Sequence, residues 1–254
     1  MKNLISFIIR YIPRPVLQQV SPLVLKGFSF LNRGKEVECP VCAKQYKKFL
    51  PYGRVARENA LCPNCLALER HRLMWLFLKE KTNFFSQKLK VLHVAPEHCF
   101  IDRFEALPNL EYITADIESP LAKVKMDVHA IPFPENTFDV VFCNHVLEHV
   151  DDDILACSEF NRVLKPDGWG ILQSPVYNLE KTIEDKSITD PAERERMFGQ
   201  RDHVRKFGKD YAERLRKSGL KIEENQFVKE LSQEKVQRFA LAPDEIIFVC
   251  RKGN

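Results

Sequence analysis

The chain begins with no acidic side chain and no apolar run of bilayer-spanning length. Leu4 to Ile12 is interrupted by Arg10 and stopped by Pro13, well short of the ~20 residues that a spanning helix requires. No small-x-small cleavage site follows it, which argues against a secretory signal. Residues 1–35 hold six basic side chains and no acidic one, and two readings stand. Short helices pack their apolar faces on the rest of the protein, or the segment lies on an anionic membrane surface with Lys2, Arg10, Arg14, Lys26 and Arg33 toward the head groups. Glycine is missing from the turn Ala95 to Cys99, which follows the apolar run KLKVLHV at 88–94. With Pro96 and Glu97 in it, that turn approaches a bound group less closely than glycines allow.

A secreted disulfide framework is also excluded, although there are eight cysteines. Four fall into CPVC at 39–42 and CPNC at 62–65, with nineteen residues between them, and Cys99, Cys143, Cys157 and Cys250 stand singly in apolar surroundings. This usage predicts a reducing compartment, the cytoplasm. Each CxxC turn aims two sulfurs at one point, so Cys39, Cys42, Cys62 and Cys65 predict a closed, tetrahedral, structural Zn²⁺ site.

Between the knuckles, KQYKKFLPYGRVARENAL reads as a zinc-ribbon hairpin turned at Pro51-Tyr52-Gly53. Either Lys44, Lys47, Lys48, Arg54 and Arg57 meet phosphates while Tyr46, Phe49 and Tyr52 stack on bases, or the aromatics pack inward. LALERHRLMWLFLKE follows as an amphipathic helix, with His71 expected at its surface or between domains. Residues 1–90 carry 17 Lys/Arg against 5 Asp/Glu, and the remainder 22 against 30. A basic front on an acidic body suggests an anionic partner such as nucleic acid, a phosphorylated molecule or a lipid head group; two solvated faces of opposite bias explain the same counts.

The stretch Met126 to Val150, MDVHAIPFPENTFDVVFCNHVLEHV, organises the rest. Pro132 and Pro134 make a turn, Phe138 to Phe142 is a β-branched apolar strand, and His145 to Val150 restarts at helical spacing, placing His145, Glu148 and His149 on one helix face. Leu110 to Ser119 and Ile171 to Val176 read as further strands, and LKIEENQFV and EIIFVCRK as a closing pair. About thirty residues after Val176 lack periodicity, which suits a lid. Tyr177, Gln200, Asp202, His203 and Arg205 are placed to close over a bound molecule. A metal reading of His145, Glu148 and His149 lacks the usual helical HExxH spacing.

The order IPF turn, FDVVF strand, VLEHV, then NRVLKPDGWGILQSPV at 161–176 resembles a class I S-adenosylmethionine-dependent methyltransferase of the type 11 group, over roughly residues 89–252. The resemblance implies an α/β, Rossmann-like doubly wound, mostly parallel seven-stranded sheet with an antiparallel edge strand. It divides the chain into an N-terminal segment 1–36, a zinc-ribbon module with its helix 37–82, and a methyltransferase domain 83–254 with a lid-like insertion 177–208.

For S-adenosylmethionine it implies a binding turn at His93, Ala95 and Glu97, the last facing the cofactor's ammonium. Asp116 would bind the ribose hydroxyls with Ile117 against the adenine, Asp127 and Val128 the adenine edge, and Asn144 would lie beside the transferable methyl. His145 and His203 are the expected proton acceptors. The acceptor is a small-molecule or lipid- or glycan-linked compound. RNA is the alternative, and a non-enzymatic zinc-ribbon binding protein a third reading.

Overall fold

The computed structural model describes Leu25, Gly27, Ser29, Phe30 and residues 32–53 and 55–253. The expectations for Lys2, Arg10, Arg14, Lys26 and Arg54 lie outside the described residues. In chain order the strands and helices are β1 (Arg33–Cys39), β2 (Lys44–Tyr46), β3 (Leu50–Tyr52), β4 (Arg57–Leu61), α1 (Glu69–Lys81), β5 (Leu89–Val94), α2 (His98–Glu105), β6 (Leu110–Asp116) and β7 (Val124–Lys125). They continue with β8 (Phe138–Asn144), α3 (Asp153–Val163), β9 (Leu164–Gln173), β10 (Ile183–Glu184), α4 (Pro191–Phe198), β11 (Arg205–Lys206), α5 (Tyr211–Arg216), β12 (Lys221–Asn225), α6 (Gln233–Arg238) and β13 (Ile247–Arg251). Among the described residues no helix is long and apolar enough to cross a membrane.

Two compact units share the chain, and neither is continuous in sequence. One gathers the described residues up to Gln87 with Glu97–Pro108 and Gln226–Ile246; the other gathers Lys88–Pro96, Asn109–Asn225 and Ile247–Asn254. The first unit thus takes in α2 and α6, which the chain-order division assigned to a single methyltransferase domain.

In the first unit β1–β2 and β3–β4 are antiparallel hairpins. Each cysteine pair sits in the same kind of knuckle. Ala43 and Leu66, one residue past each pair, take left-handed φ values of 55° and 66°, and their N–H groups donate to Cys39 O and Cys62 O at 2.8 and 2.9 Å. Leu66 is therefore used to close a knuckle, and α1 starts three residues later, at Glu69.

His71 is buried, not at the surface: its Nδ1 accepts from Leu68 N at 3.2 Å, satisfying an N–H at the start of α1. Arg72 is fully buried as well, donating to the carbonyls of Ala60, Ala67, Phe239 and Ala240 with its guanidinium 4.3 Å from the Phe49 ring. A core of Trp75, Phe84, Phe100 and Phe104 packs alongside, with ring centroids 4.8 to 6.3 Å apart in the contacting pairs.

The second unit holds a seven-stranded sheet in the order β12-β13-β9-β8-β5-β6-β7. Pairings β8–β9, β5–β8, β5–β6 and β6–β7 are parallel, and β13 runs antiparallel to both β9 and β12. The antiparallel strand therefore lies one place in from the edge, with β12 outside it. Val140 to Asn144 are buried without alternation, as a parallel strand covered on both faces should be.

The stretch after β8 is not a helix. His145 takes φ 55°, Leu147 to His149 form a turn closed by His149 N–H to Val146 O at 2.9 Å, and α3 begins at Asp153, capped by the Asp152 carboxylate on Leu155 N. Three consecutive aspartates, 151 to 153, put the helix start where a capping oxygen and negative charge favour it.

Candidate functional site

Strand order reverses between the parallel neighbours β5 and β8: β6 and β7 extend one side, β9 and its neighbours the other. A crevice at the C-terminal ends of these two strands is where open α/β sheets bind ligands. Both strands end in a non-glycine residue with left-handed backbone, Ala95 at φ 49° and His145 at φ 55°. Ala95 N–H donates to Ala115 O at 2.9 Å and His145 N–H to Gln173 O at 2.7 Å, so each strained turn is held by the neighbouring strand. Strain of this kind costs about 1–3 kcal/mol and collects at functional sites.

Beside this point, the ends of β6 and β7 open a cleft of ≈ 320 Å³ lined by Asp116, Ile117, Glu118, Ser119, Val124 and Lys125 among others. Asp116 Oδ1 accepts from Glu118 N and Ser119 N, both at 2.7 Å, which fixes the carboxylate. Ile117 is 54% exposed, an apolar surface against which a flat ring can lie. Asp127 lies two residues past β7 and is exposed, with Oδ1 accepting from His129 N at 2.9 Å and facing His129 Nδ1 at 2.8 Å. The His129 N–H holds its carboxyl below the usual range. Val128 is buried behind it and Asn144 is buried at the end of β8. Asp116 ends β6 and Asp127 lies two residues past the end of the neighbouring parallel strand β7, with Met126 N–H bonded to Asp116 O at 3.0 Å.

Two residues expected at the binding turn are used otherwise. His93 is fully buried, with Nδ1 2.7 Å from the Tyr112 hydroxyl and its ring edge-on to Phe142; it has no surface to offer a ligand. Glu97 belongs to the first unit, where its carboxylate lies 3.6 Å from His71 Nε2 and is 14% exposed, so the ammonium-binding role meets a group already engaged.

On the other side of the switch point, His145 keeps 24% of its side chain exposed and sets Nδ1 3.1 Å from Glu148 Oε1. Glu148 is buried, and Ser174 Oγ donates to its Oε2 at 2.9 Å. Burial tends to raise the Glu148 carboxyl, yet the hydrogen bond and charge of His145 prevail and hold it at about 2. A buried anion therefore orients the exposed imidazole. Residue spacing alone puts Glu148 on a helix face without this partnership, and no sequence signal marks Ser174.

His203 is 1% exposed, so in this conformation it meets no acceptor; burial, then the neighbouring His149, lowers it to about 4. Its ring lies edge-on to that of His149 with centroids 4.7 Å apart. Arg205, expected to reach over the site, is fully buried and donates to the carbonyls of Leu147, Val150 and Asp151 and to Glu184. It anchors the insertion beneath the turn that follows β8. Of the expected closing residues, Tyr177 is half-buried with Lys206 Nζ 4.4 Å from its ring centroid, and Asp202 is exposed.

In the first unit, Cys39, Cys42, Cys62 and Cys65 bring their sulfurs within 4.8 Å of one another. Cys39 and Cys65 Sγ are 3.5 Å apart and Cys42 and Cys62 Sγ 3.7 Å. Those spacings are far from the ~2.05 Å of a disulfide and close to the roughly 3.8 Å between sulfurs tetrahedrally bound at 2.3 Å. The donor set fits Zn²⁺. Tyr46 and Phe49 are buried and Arg57 is paired with Glu69 at 2.9 Å, so base stacking by those two rings is not available. Lys44, Lys47 and Lys48 are exposed.

Residues 91–172 match the family described as Methyltransf_11: Methyltransferase domain. Over 81 residues the chain is 33% identical to an uncharacterized methyltransferase of Schizosaccharomyces pombe, covering 32% of this chain and 29% of that protein. It is 31% identical over 94 residues to the mitochondrial arginine-hydroxylase NDUFAF5 of Homo sapiens, covering 37% and 27%. The chain spans less than a third of the length of these curated relatives. Its fold is similar to that of the [4+2]-cyclase SpnF, with TM-score 0.51, 16% identity and coverage of 95% of this chain and 98% of that one.

Proposed function

We propose that this chain, whose residues 91–172 match a methyltransferase domain, transfers a methyl group from S-adenosylmethionine to a small-molecule or lipid- or glycan-linked acceptor. The observation that carries the reading is the placement of Asp116 and Asp127 at the tips of adjacent strands, with the strained ends of β5 and β8 beside them. When bound, S-adenosylmethionine supplies an electrophilic methyl on a sulfonium. Asp116, its carboxylate fixed by two N–H groups, accepts the ribose hydroxyls; Ile117 covers the adenine; Asp127 accepts from the adenine amine. Ala95, left-handed at φ 49°, stands where the family uses glycine, and Asn144 ends β8 beside the expected position of the reacting carbon.

In-line displacement asks a protein for alignment and exclusion of water, and for some acceptors a base. His145 is the proton acceptor in this reading: it is part-exposed at the switch point, and Glu148 Oε1, 3.1 Å from its Nδ1, orients the ring. Val176, exposed just past β9, gives the rim apolar surface suited to such an acceptor, and the burial of Tyr46 and Phe49 weighs against single-stranded RNA. Cys39, Cys42, Cys62 and Cys65 hold a structural Zn²⁺ in the front unit.

Calorimetry of the full chain with S-adenosylhomocysteine tests the cofactor reading. Binding is expected, and Asp116→Ala should weaken it by roughly 10- to 100-fold, the loss of one or two charge-assisted hydrogen bonds. Absence of binding to the wild-type chain overturns the enzymatic reading.

A further inference from the structure

We infer that Glu148, His149 and His203 form a second metal site, for a divalent transition-metal ion, separate from the four-cysteine cluster. Their ligand atoms lie within 4.8 Å of one another. The group joins the turn after β8 to the insertion, 54 residues downstream of His149 at His203. Neither imidazole is arranged as plain core packing requires.

His203 Nδ1 is 3.3 Å from Phe198 O, which makes that nitrogen the donor. Nε2 is then the lone-pair nitrogen, and it is buried without a hydrogen-bond partner. His149 Nδ1 faces both the main-chain oxygen and the carboxylate of Asp202, each at 3.3 Å, so its Nε2 is likewise the nitrogen left for coordination. Metal-binding histidines are held this way, with one nitrogen on a carbonyl or carboxylate and the other on the ion.

Glu148 completes the set. Ser174 Oγ and His145 Nδ1 each take one of its oxygens, which leaves each oxygen a further lone pair. Two imidazoles and a carboxylate suit Zn²⁺, Co²⁺, Fe²⁺ or Mn²⁺. Bonds of about 2.0–2.2 Å draw such atoms together by roughly 1 Å, within reach of side-chain rotation. Three protein ligands leave a coordination position open. Glu148 and His203 are buried, whereas His149 is 22% exposed; the open position is therefore reached from the His149 side, next to His145, and takes water or an oxygen donor of a bound molecule. None of this depends on the methyl-transfer reading.

The test uses the full chain, dialysed against a mild chelator that leaves thiolate-bound zinc in place, and Mn²⁺ alone as the probe, followed by electron paramagnetic resonance. The wild type should immobilise one equivalent of Mn²⁺. His203→Gln and Glu148→Gln should each weaken binding by roughly 100-fold or more, and Asp202→Asn by about tenfold through loss of the group that orients His149. Circular dichroism and zinc content identify which variants remain folded, and Asp202, being exposed, provides a readout that does not disturb the core. Failure of the wild type to bind Mn²⁺, or retention of full affinity in both Gln variants, overturns the site. S-adenosylhomocysteine binding, measured separately, distinguishes this failure from failure of the cofactor reading.

Discussion

Single residues at the sheet's C-terminal edge carry conformations that their side chains disfavour. Ala95 occupies the left-handed region at φ 49°, a state costing a residue with Cβ about 1–2 kcal/mol. Ala95→Gly should therefore raise stability by about 0.5–1 kcal/mol after the extra chain entropy of glycine is deducted, seen as a higher urea midpoint with unchanged slope; a lower midpoint contradicts the strain. His145, at φ 55°, keeps its strain with a purpose, since its ring reaches Glu148 from that backbone. His145→Ala should cut turnover by about 10²- to 10⁴-fold, the usual worth of a positioned base, while S-adenosylhomocysteine affinity stays within about twofold; equal turnover removes the base. The sequence made His145 visible because it follows an apolar strand. His93, equally well placed in the pattern, proved buried, because strand position fixes the face of the sheet and not the exposure of that face.

Among the elements, apolar strands were legible because parallel strands covered on both faces appear as unbroken runs of β-branched and aromatic residues. HVLEHV misled as a helix, since a tight turn also brings residues i and i+3 together and so mimics helical spacing; only the Asp152 cap marks the true start of α3. The insertion was recognisable by its length, but not by its anchoring: β10 and β11 are tied down by Arg205 and Arg214 on Asp153 and Glu184, ion pairs made across dozens of residues. Burial tends to raise the Glu184 carboxyl, yet hydrogen bonds and charge from Arg205 and Arg214 hold it below the usual range. The unfolded chain then binds this proton first, at pH about 4.3, so the stability due to Glu184 is full above that pH and is lost as pH falls through it toward the folded value. Glu184→Gln should be less stable than wild type at pH 7, with the gap narrowing between about pH 5 and 3; a gap independent of pH contradicts the pairing.

At the scale of the molecule, the zinc signal and the methyltransferase-like sheet could be read directly, because CxxC spacing and strand order are written locally. The partition could not. Arg72 finds two of its five carbonyl partners at Phe239 and Ala240, and no local pattern announces a pairing over such a span. The prediction at this scale concerns metal. Purified protein should carry one tightly held equivalent of zinc, and removing it with a strong chelator should lower the melting temperature of the chain measurably, since metal binding free energy is folding free energy for such modules; zinc below about 0.2 equivalents in a metal-replete preparation contradicts the site. Cys42→Ser should reproduce the loss without chelator.

The first unit is assembled from three separated stretches, the last of them Gln226–Ile246. On the ribosome, where chain emerges at about 5–20 residues per second, the cysteine knuckles and Arg72 emerge long before two of the carbonyls that Arg72 bonds. That charge waits through the synthesis of six of the sheet's seven strands before Phe239 and Ala240 arrive. The front module is therefore unsuited to excision as a cassette or to grafting onto another enzyme, and a premature stop anywhere before Ala240 leaves a buried cation without its full set of acceptors, a defect that quality-control proteases detect.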